Sequence, residues 1–503
     1  MTAVIDTRRT RHFALVYAAL LTAMLLGALD QTIFSTALPT IVGELDGLAH
    51  MAWVTTAYIL AATIGMPVYG KLGDLIGRKV VFIAAIGFFV AGSVVAALAG
   101  GMGALIAGRA LQGLGGGGLM IISQAIVADL VPPRERAKFL APMGAVFGVA
   151  SVAGPLLGGW FTDEHSWRWA FWINVPLGLL AIAIAMVALR LPSHTGERPR
   201  LDYLGTVLMA SAVTCTVLFA TWGGTEYAWS DPIILGLAAG AVAGWAAFLL
   251  VQRRAAEPII PLHLFRNPIF VVATLLGMLV VGVAMFAVVG YLPTYLQMVH
   301  GVSATESGLL MLPMVVGIMV TALTSGALLG RTGRYKIYPI AGTALLIVDA
   351  ALLSQVTVST PLWVICGYLM LTGAGIGLMM QTLVLAVQNA FPAREVGTVT
   401  SANNFFREIG ATLGTAVVGA VFADRLTDRL ATALPVGASG TTDSASLTPA
   451  LVRSLPDGVR DAVITAYSDA LVPIFGYLIP VLAIGLILAV MLKEKPLATT
   501  TEN

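Results

Sequence analysis

The sequence predicts an all-α integral membrane protein with fourteen transmembrane helices. Three observations carry this. Of 503 residues, 58% are hydrophobic and only 11% charged, against about 25% charged in an ordinary soluble domain. Mean hydropathy is +0.90. Apolar runs of the length that spans a bilayer core, about 20 residues, recur along the whole chain. They lie at 13–38, 51–69, 80–99, 103–126, 138–160, 169–190, 202–222, 231–251, 268–296, 308–329, 337–355, 361–389, 398–423 and 470–492. An even number of spans puts both termini on one side. The net charge of +2 gives no argument for nucleic acid, and the expected partner is the lipid bilayer.

Each span is bounded by its charges. The first follows Arg8, Arg9 and Arg11, a start that resembles a signal peptide. Its apolar run continues to Pro39 without a small-residue cleavage site, so it reads as a retained span. Most of the 28 Lys and Arg fall in one set of loops and tails, including Lys71, Arg78, Lys79, Arg134, Arg136, Lys138, Arg190, Arg198, Arg200, Arg253, Arg254, Arg266, Arg331, Arg334 and Lys336. The opposite loops hold Glu44, Asp46, Asp163, Glu164, Glu226, Asp231 and Glu306. By the positive-inside rule both termini are expected in the cytoplasm. Cys215 and Cys366 lie in apolar spans and read as packed thiols. The outer segment 424–469 is polar. It is read either as a solvated linker or as a cap over the outer mouth, with an amphipathic helix possible over 451–469.

The stretch Gly326–Arg334 echoes Gly70–Arg78, with Gly330 standing where the first copy has Asp74. Such repeats mark two pseudo-symmetric halves with the pathway between them. The expected organisation is a tail at 1–12, a six-helix bundle at 13–190, two inserted helices at 202–251, a second six-helix bundle at 268–492 and a tail at 493–503.

Gly70-Lys71-Leu-Gly-Asp74-Leu-Ile-Gly77-Arg78-Lys79 reads as a short loop between the second and third spans. Glycine lets two helices end and restart in a tight turn. Asp74 can pair with Lys71, Arg78 or Lys79, or sit at a helix N-terminus. The pattern G-x-L-x-D-x-x-G-R-K resembles the signature loop of the major facilitator superfamily. That resemblance implies the major facilitator fold, with two six-helix bundles plus the inserted pair, and a cytoplasmic latch formed by these residues.

Asp30 stands deep in the first span. A mid-membrane aspartate costs roughly 2.5 to 3.5 kcal/mol on insertion scales, so it faces the bundle interior or water. Arg109, in the fourth span, falls at similar depth. Either it touches Asp30 or it tunes it from a distance. The string Leu105–Gly113, with Arg109 and Gln112, resembles the superfamily's fourth-helix motif, whose arginine is linked to proton coupling. Gly148, Gly154, Pro155, Gly158 and Gly159 in the fifth span combine small packing residues with a helix-bending proline. Their spacing resembles the motif that marks antiporters.

Asp349, Arg407 and Glu408 are further in-membrane polar residues. Each reads as a structural polar contact; Asp349 or Glu408 reads alternatively as an attractor of a cationic substrate or as a second proton site. Arg407 and Glu408 need not pair with each other. Trp167–Pro176 reads as an interfacial anchor and resembles the fourteen-span drug-exporter branch. Met278, Met285, Met311, Met314, Met379 and Met380 either fill helix packing or line an adaptable pocket.

Several chemistries are excluded. All six His fall in expected tails or loops, and no Cys/His cluster has metal-ligand spacing. Gly65–Lys71 matches part of a phosphate loop, but Leu72 replaces the required Ser or Thr and the stretch ends a span rather than a strand. No cofactor and no enzymatic activity are expected. The resemblance implies a proton-coupled exporter of lipophilic, often cationic, drugs, acting as a monomer in the bacterial cytoplasmic (inner) membrane with protons as the coupling ion. Two alternatives stand. One is a dedicated exporter of an endogenous lipid, siderophore or antibiotic. The other is a ligand sensor without transport.

Overall fold

A computed structural model describes residues 7–45, 50–189, 201–224, 226–433 and 447–497. Asp46, Arg190, Arg198, Arg200 and the stretch 434–446 lie outside them, as do the side chains of Arg8, Arg9, Arg11 and Asp163.

Among the described residues there are fourteen long helices. They are α1 (Thr7–Glu44), α2 (Met51–Ile76), α3 (Arg78–Ala97), α4 (Met102–Leu130), α5 (Pro133–Glu164), α6 (Trp169–Ala188), α7 (Tyr203–Trp222), α8 (Pro232–Gln252), α9 (Pro268–Val299), α10 (Leu312–Thr332), α11 (Ile337–Leu353), α12 (Leu362–Ala390), α13 (Val396–Ala433) and α14 (Asp457–Met491). Among the described residues thirteen spans have the length and apolarity to cross a bilayer, and α11 is a shorter apolar helix of 17 residues. Helices suit this solvent because they satisfy their backbone groups internally.

Local chemistry sets the starts. Asp202, Asp231 and Asn267 accept the backbone N–H groups of Gly205, Ile233 and Ile269, capping α7, α8 and α9. Pro232 and Pro268 open α8 and α9, where no N–H is needed. Within α9 a π-helical stretch, Gly277–Gly282, lies against Arg407 and Gly410 of α13.

Successive helices alternate in direction. The start of α1 and the end of α14 therefore share one end of the bundle, here called the basic end. The contacts fall into two matching sets. In the first, α1 packs on α5 and α6, and α4 on α2 and α3; in the second, α9 packs on α13 and α14, and α12 on α10 and α11. The sets meet along two seams, α5 with α10 and α2 with α13. The inserted helix α7 packs on α8 and also on both α2 and α13, so it lies over one seam.

Three expectations need correction. Gly70–Ile76 is not a loop: α2 continues through it, and Gly77 alone breaks the helix, at φ +97°. Gly333 repeats this break at φ +69° after α10. The outer segment is shorter than 424–469, because α13 runs to Ala433 and the stretch from Asp457 belongs to α14; only Pro449–Ser454 forms a separate short helix. At the start, α1 begins at Thr7, so His12 lies in a helix rather than a tail. Hydropathy marks where the apolar run stops, whereas the backbone hydrogen-bond ladder continues into the polar flanks.

Candidate functional site

Asp30 rides on the buried stripe of α1, with Leu26, Ile33 and Ala37 one and two turns away, and is 1% exposed. Arg109 of α4, also 1% exposed, forms an ion pair with its Oδ2. Gln112, one turn further along α4, donates from Nε2 to Asp30 Oδ1 at 2.7 Å, and Asn174 of α6 donates from Nδ2 to the same oxygen at 2.9 Å. Both amides also reach Ser93 Oγ of α3, at 2.8 and 3.2 Å. Gly92 and Gly108 let α3 and α4 approach closely enough for this, since a Cβ at either would collide with the facing backbone. The Arg109 guanidinium is sandwiched between Phe34 and Tyr58, each ring centroid 4.3 Å from Cζ. A buried ion pair survives in a low-dielectric interior only with this kind of additional hydrogen bonding. The structure thus answers the question left open between contact and distance: Arg109 touches Asp30. Ser93, Asn174, Phe34 and Tyr58 were missed. For Ser93 and Asn174 the available signal was a polar side chain within an apolar run.

Next to this cluster lies a cavity of about 110 Å³, lined by Met24, Gln31, Tyr58, Met120, Phe286 and Glu408 among others. Asp30 does not line it. Tyr58 stands between, its ring over Arg109 on one side and facing the cavity on the other. Glu408 is 28% exposed, while Arg407 is 7% exposed and does not line the cavity. The two nevertheless pair, at 3.5 Å. None of the six methionines singled out from the sequence lines this space; Met24, Met66 and Met120 do. Between the cavity and the basic end, buried amides cross the α4–α13 contact, Asn404 Nδ2 donating to Gln124 Oε1 at 3.2 Å.

At the basic end the α2–α13 seam is closed. Gly70 permits the approach, because a Cβ there would run into Ser401 and the Gly397 carbonyl. The Asp74 carboxylate accepts from Gly397 N, Thr398 N and Thr398 Oγ1 at 3.0, 2.6 and 2.9 Å, at the start of α13. Arg78 pairs with Asp74 at 3.0 Å and with Asp129, and donates to the Ala393 carbonyl at 3.3 Å. Lys71 pairs with Glu257 at 2.6 Å, and Lys79 donates to the Met186 carbonyl. On the other seam no acid stands at 330. There Arg134 of α5 donates to the Gly330 and Arg331 carbonyls at the end of α10.

In α5, Gly154 packs on Thr32 and Gly158 on Ile33 and Thr36 of α1, while Gly148 faces Val315 of α10. Thr32 Oγ1 donates to the Ala150 carbonyl at 3.0 Å, in the turn before Pro155. Gly159 faces open space. Asp349, 2% exposed, accepts from Thr372 Oγ1 and lies between α11 and α12, away from the cavity. In the register of the repeated Gly-Arg turn, Asp349 stands where the first half has Ser93. Trp167 is no headgroup anchor: it is 1% exposed and donates from Nε1 to Glu44 at 2.8 Å. Among the described residues no group of three or more His, Cys, Asp or Glu could hold a metal ion.

Two matching sets of membrane-spanning helices around a cavity, with a buried ion pair one ring behind its wall, define a multi-pass membrane transporter. The chain belongs to the Major Facilitator Superfamily, whose family model matches residues 20–415. It is 43% identical to an uncharacterized MFS-type transporter of Mycobacterium tuberculosis over 483 residues, 96% of this chain and 70% of that one. It is 37% identical to the multidrug transporter protein MdtP of Bacillus subtilis over 473 residues, 92% of this chain and 87% of that one. The fold is similar to the crystal structure of the human organic anion transporter MFSD10, with a TM-score of 0.62 at 15% identity, covering 95% of this chain and 99% of that one. The chain is therefore a transporter of small molecules embedded in the bilayer, not an enzyme.

Proposed function

We propose that this protein exports lipophilic, often cationic, small molecules by alternating access, driven by protons moving inward through Asp30. The observation that carries the reading is the buried Asp30–Arg109 pair separated from the cavity by one ring, Tyr58. A proton taken up from outside neutralises the Asp30 carboxylate and leaves Arg109 without its counter-charge, an unfavourable state in a buried site. Relief comes from rearrangement of the helices that hold the cluster, α1, α4 and α6. Tyr58 and Gln31 report the same change to the cavity, where Glu408 offers a carboxylate to a cation. The similarity to MdtP, a multidrug transporter, supports drug-like small molecules as the substrates.

The basic end is cytoplasmic in this reading, and the protein works as a monomer in the bacterial inner membrane with no cofactor. The contacts of Asp74 and Arg78 hold that end shut, and the packing of Gly148, Gly154 and Gly158 around Pro155 keeps α5 against α1 and α10 so that protons and substrate do not leak together. Asp349 is a second site for a proton. The test is dye flux in proteoliposomes with an imposed pH gradient, wild type beside Asp30→Asn. Gradient-driven flux that the variant abolishes supports the reading. Flux that survives moves the proton site to Asp349 or Glu408. Absence of wild-type flux for any dye points to a dedicated substrate or a sensor.

A further inference from the structure

A second space of about 360 Å³ adjoins the central cavity. The two share Gln31, Ile59, Phe286 and Glu408 in their linings, so Glu408 stands at their junction. The second lobe extends toward the end opposite the basic end, because its lining comes from the last turns of α7, the first turns of α2 and the far part of α13. One wall is α7 and its C-terminal cap, through Val217, Ala220 and Gly223. The facing wall is α13, through Thr412, Thr415 and Ala416. An inserted helix therefore forms part of the interior, which its placement over the α2–α13 seam makes possible.

We propose that α7 forms the wall of an outer lobe of the substrate site. This lobe takes the apolar body of an elongated lipophilic cation whose charged group stands at Glu408. The inference rests on the export reading given above and adds the shape of the substrate and the helix that selects it. Charge decides the sign. Glu408 lines both spaces, whereas Arg407 lines neither; its Nη2 pairs with Glu408 Oε1 at 3.5 Å and lies 3.9 Å from Met120 Sδ, so a cation at the junction shares the one carboxylate there with a guanidinium set behind the wall. Size decides the rest. Alanine and glycine on the walls leave room for an alkyl or aryl group, and the threonine hydroxyls near the wall are spent within their own helices: Thr412 Oγ1 on the Glu408 carbonyl at 3.0 Å and Thr415 Oγ1 on the Ala411 carbonyl at 2.9 Å. What remains is a slot with a mostly apolar surface, edged by Gln31 and Thr56, and suited to a hydrocarbon.

The experiment uses the full chain in proteoliposomes with an inward proton gradient and two probes, methyltriphenylphosphonium and decyltriphenylphosphonium. Ala220→Phe fills the lobe from α7, Ala416→Phe fills it from α13, and Ala239→Phe adds the same ring to the exposed side of α8. The expected result is a fall of about tenfold in transport of the decyl ion for both filling variants. Transport of the methyl ion should stay within about twofold, and Ala239→Phe should change neither. Val217→Ala, which widens the slot, should favour the decyl ion. Equal loss of both ions, or no loss of either, overturns the proposal. Binding of the two labelled ions to solubilised protein without a gradient separates this inference from the export reading. Decyl-selective weakening of binding by Ala220→Phe, in a protein that transports neither ion, keeps the lobe and removes export. Absence of binding by wild type overturns both.

Discussion

The Asp74 carboxylate, in the last turn of α2, accepts the backbone N–H of Thr398, in the first turn of α13, at 2.6 Å. A carboxylate at a helix N-terminus meets the positive end of the helix dipole and N–H groups that lack partners within the helix. The same carboxylate binds Arg78, which also holds Asp129 of α4. One residue thus joins the two matching sets of helices at the basic end.

Asp74→Asn keeps the shape and removes the charge. The closed state should lose about 1 kcal/mol, roughly a fivefold shift in the population ratio. Spin labels at Val80 and Arg394, both exposed at the basic end, would read this as a longer distance distribution. An unchanged distribution would count against the latch.

Arg109→Lys should fail to replace arginine. The guanidinium is held flat between Phe34 and Tyr58 while its edge serves Asp30 and Gln112. An ammonium is a compact point charge without that fork. Gradient-driven flux should fall by at least about tenfold, with protein yield and elution profile retained, and Asp30→Asn should abolish gradient dependence altogether.

Two glycines of one motif should part ways. Gly154→Ala places a methyl group into Thr32 and should destabilise the fold by about 1–3 kcal/mol. Gly159→Ala meets open space and should be neutral, or stabilising by up to about 1 kcal/mol, because alanine favours the helix. Thermal unfolding in detergent compares them directly.

Glu44 supplies a pH dependence at the far end. Hydrogen bonds from Arg168 at 2.6 Å and Trp167 at 2.8 Å hold its carboxyl below the usual carboxylate range. Its folded value is depressed, so its contribution is present above the unfolded value, near 4.5, and is lost as pH falls through the folded one. Glu44→Gln should flatten the acid side of the melting-temperature profile, by a small amount because the pair is half-exposed.

The outline of the spans was legible because bilayer thickness imposes one length on every apolar run. Asp30 and Arg109 were legible because charge is scarce in such runs and each needs a partner. Asn174 was not: its string is rich in tryptophan, which points to an interface, and nothing local says that α6 turns it toward α1. Gly397 was invisible for a different reason, since its backbone N–H, not a side chain, is what Asp74 uses. Glu408 was visible as a buried acid, but its place at the junction of two spaces was not.

Sequence alone determined the membrane as solvent, the number of the helices, the repeat and the few charged residues that must find partners. These follow from composition and from the energy of placing each residue in hydrocarbon. Only the tertiary structure decided which charges meet, that α2 outruns its apolar segment to reach α13, and that α7 closes a seam and walls a cavity. Those outcomes depend on side-chain shape at contacts between helices far apart in the chain, such as Gly70 against Ser401 and Gly154 against Thr32. In lipid, where apolar burial does not distinguish one helix from another, close packing and hydrogen bonds make that choice.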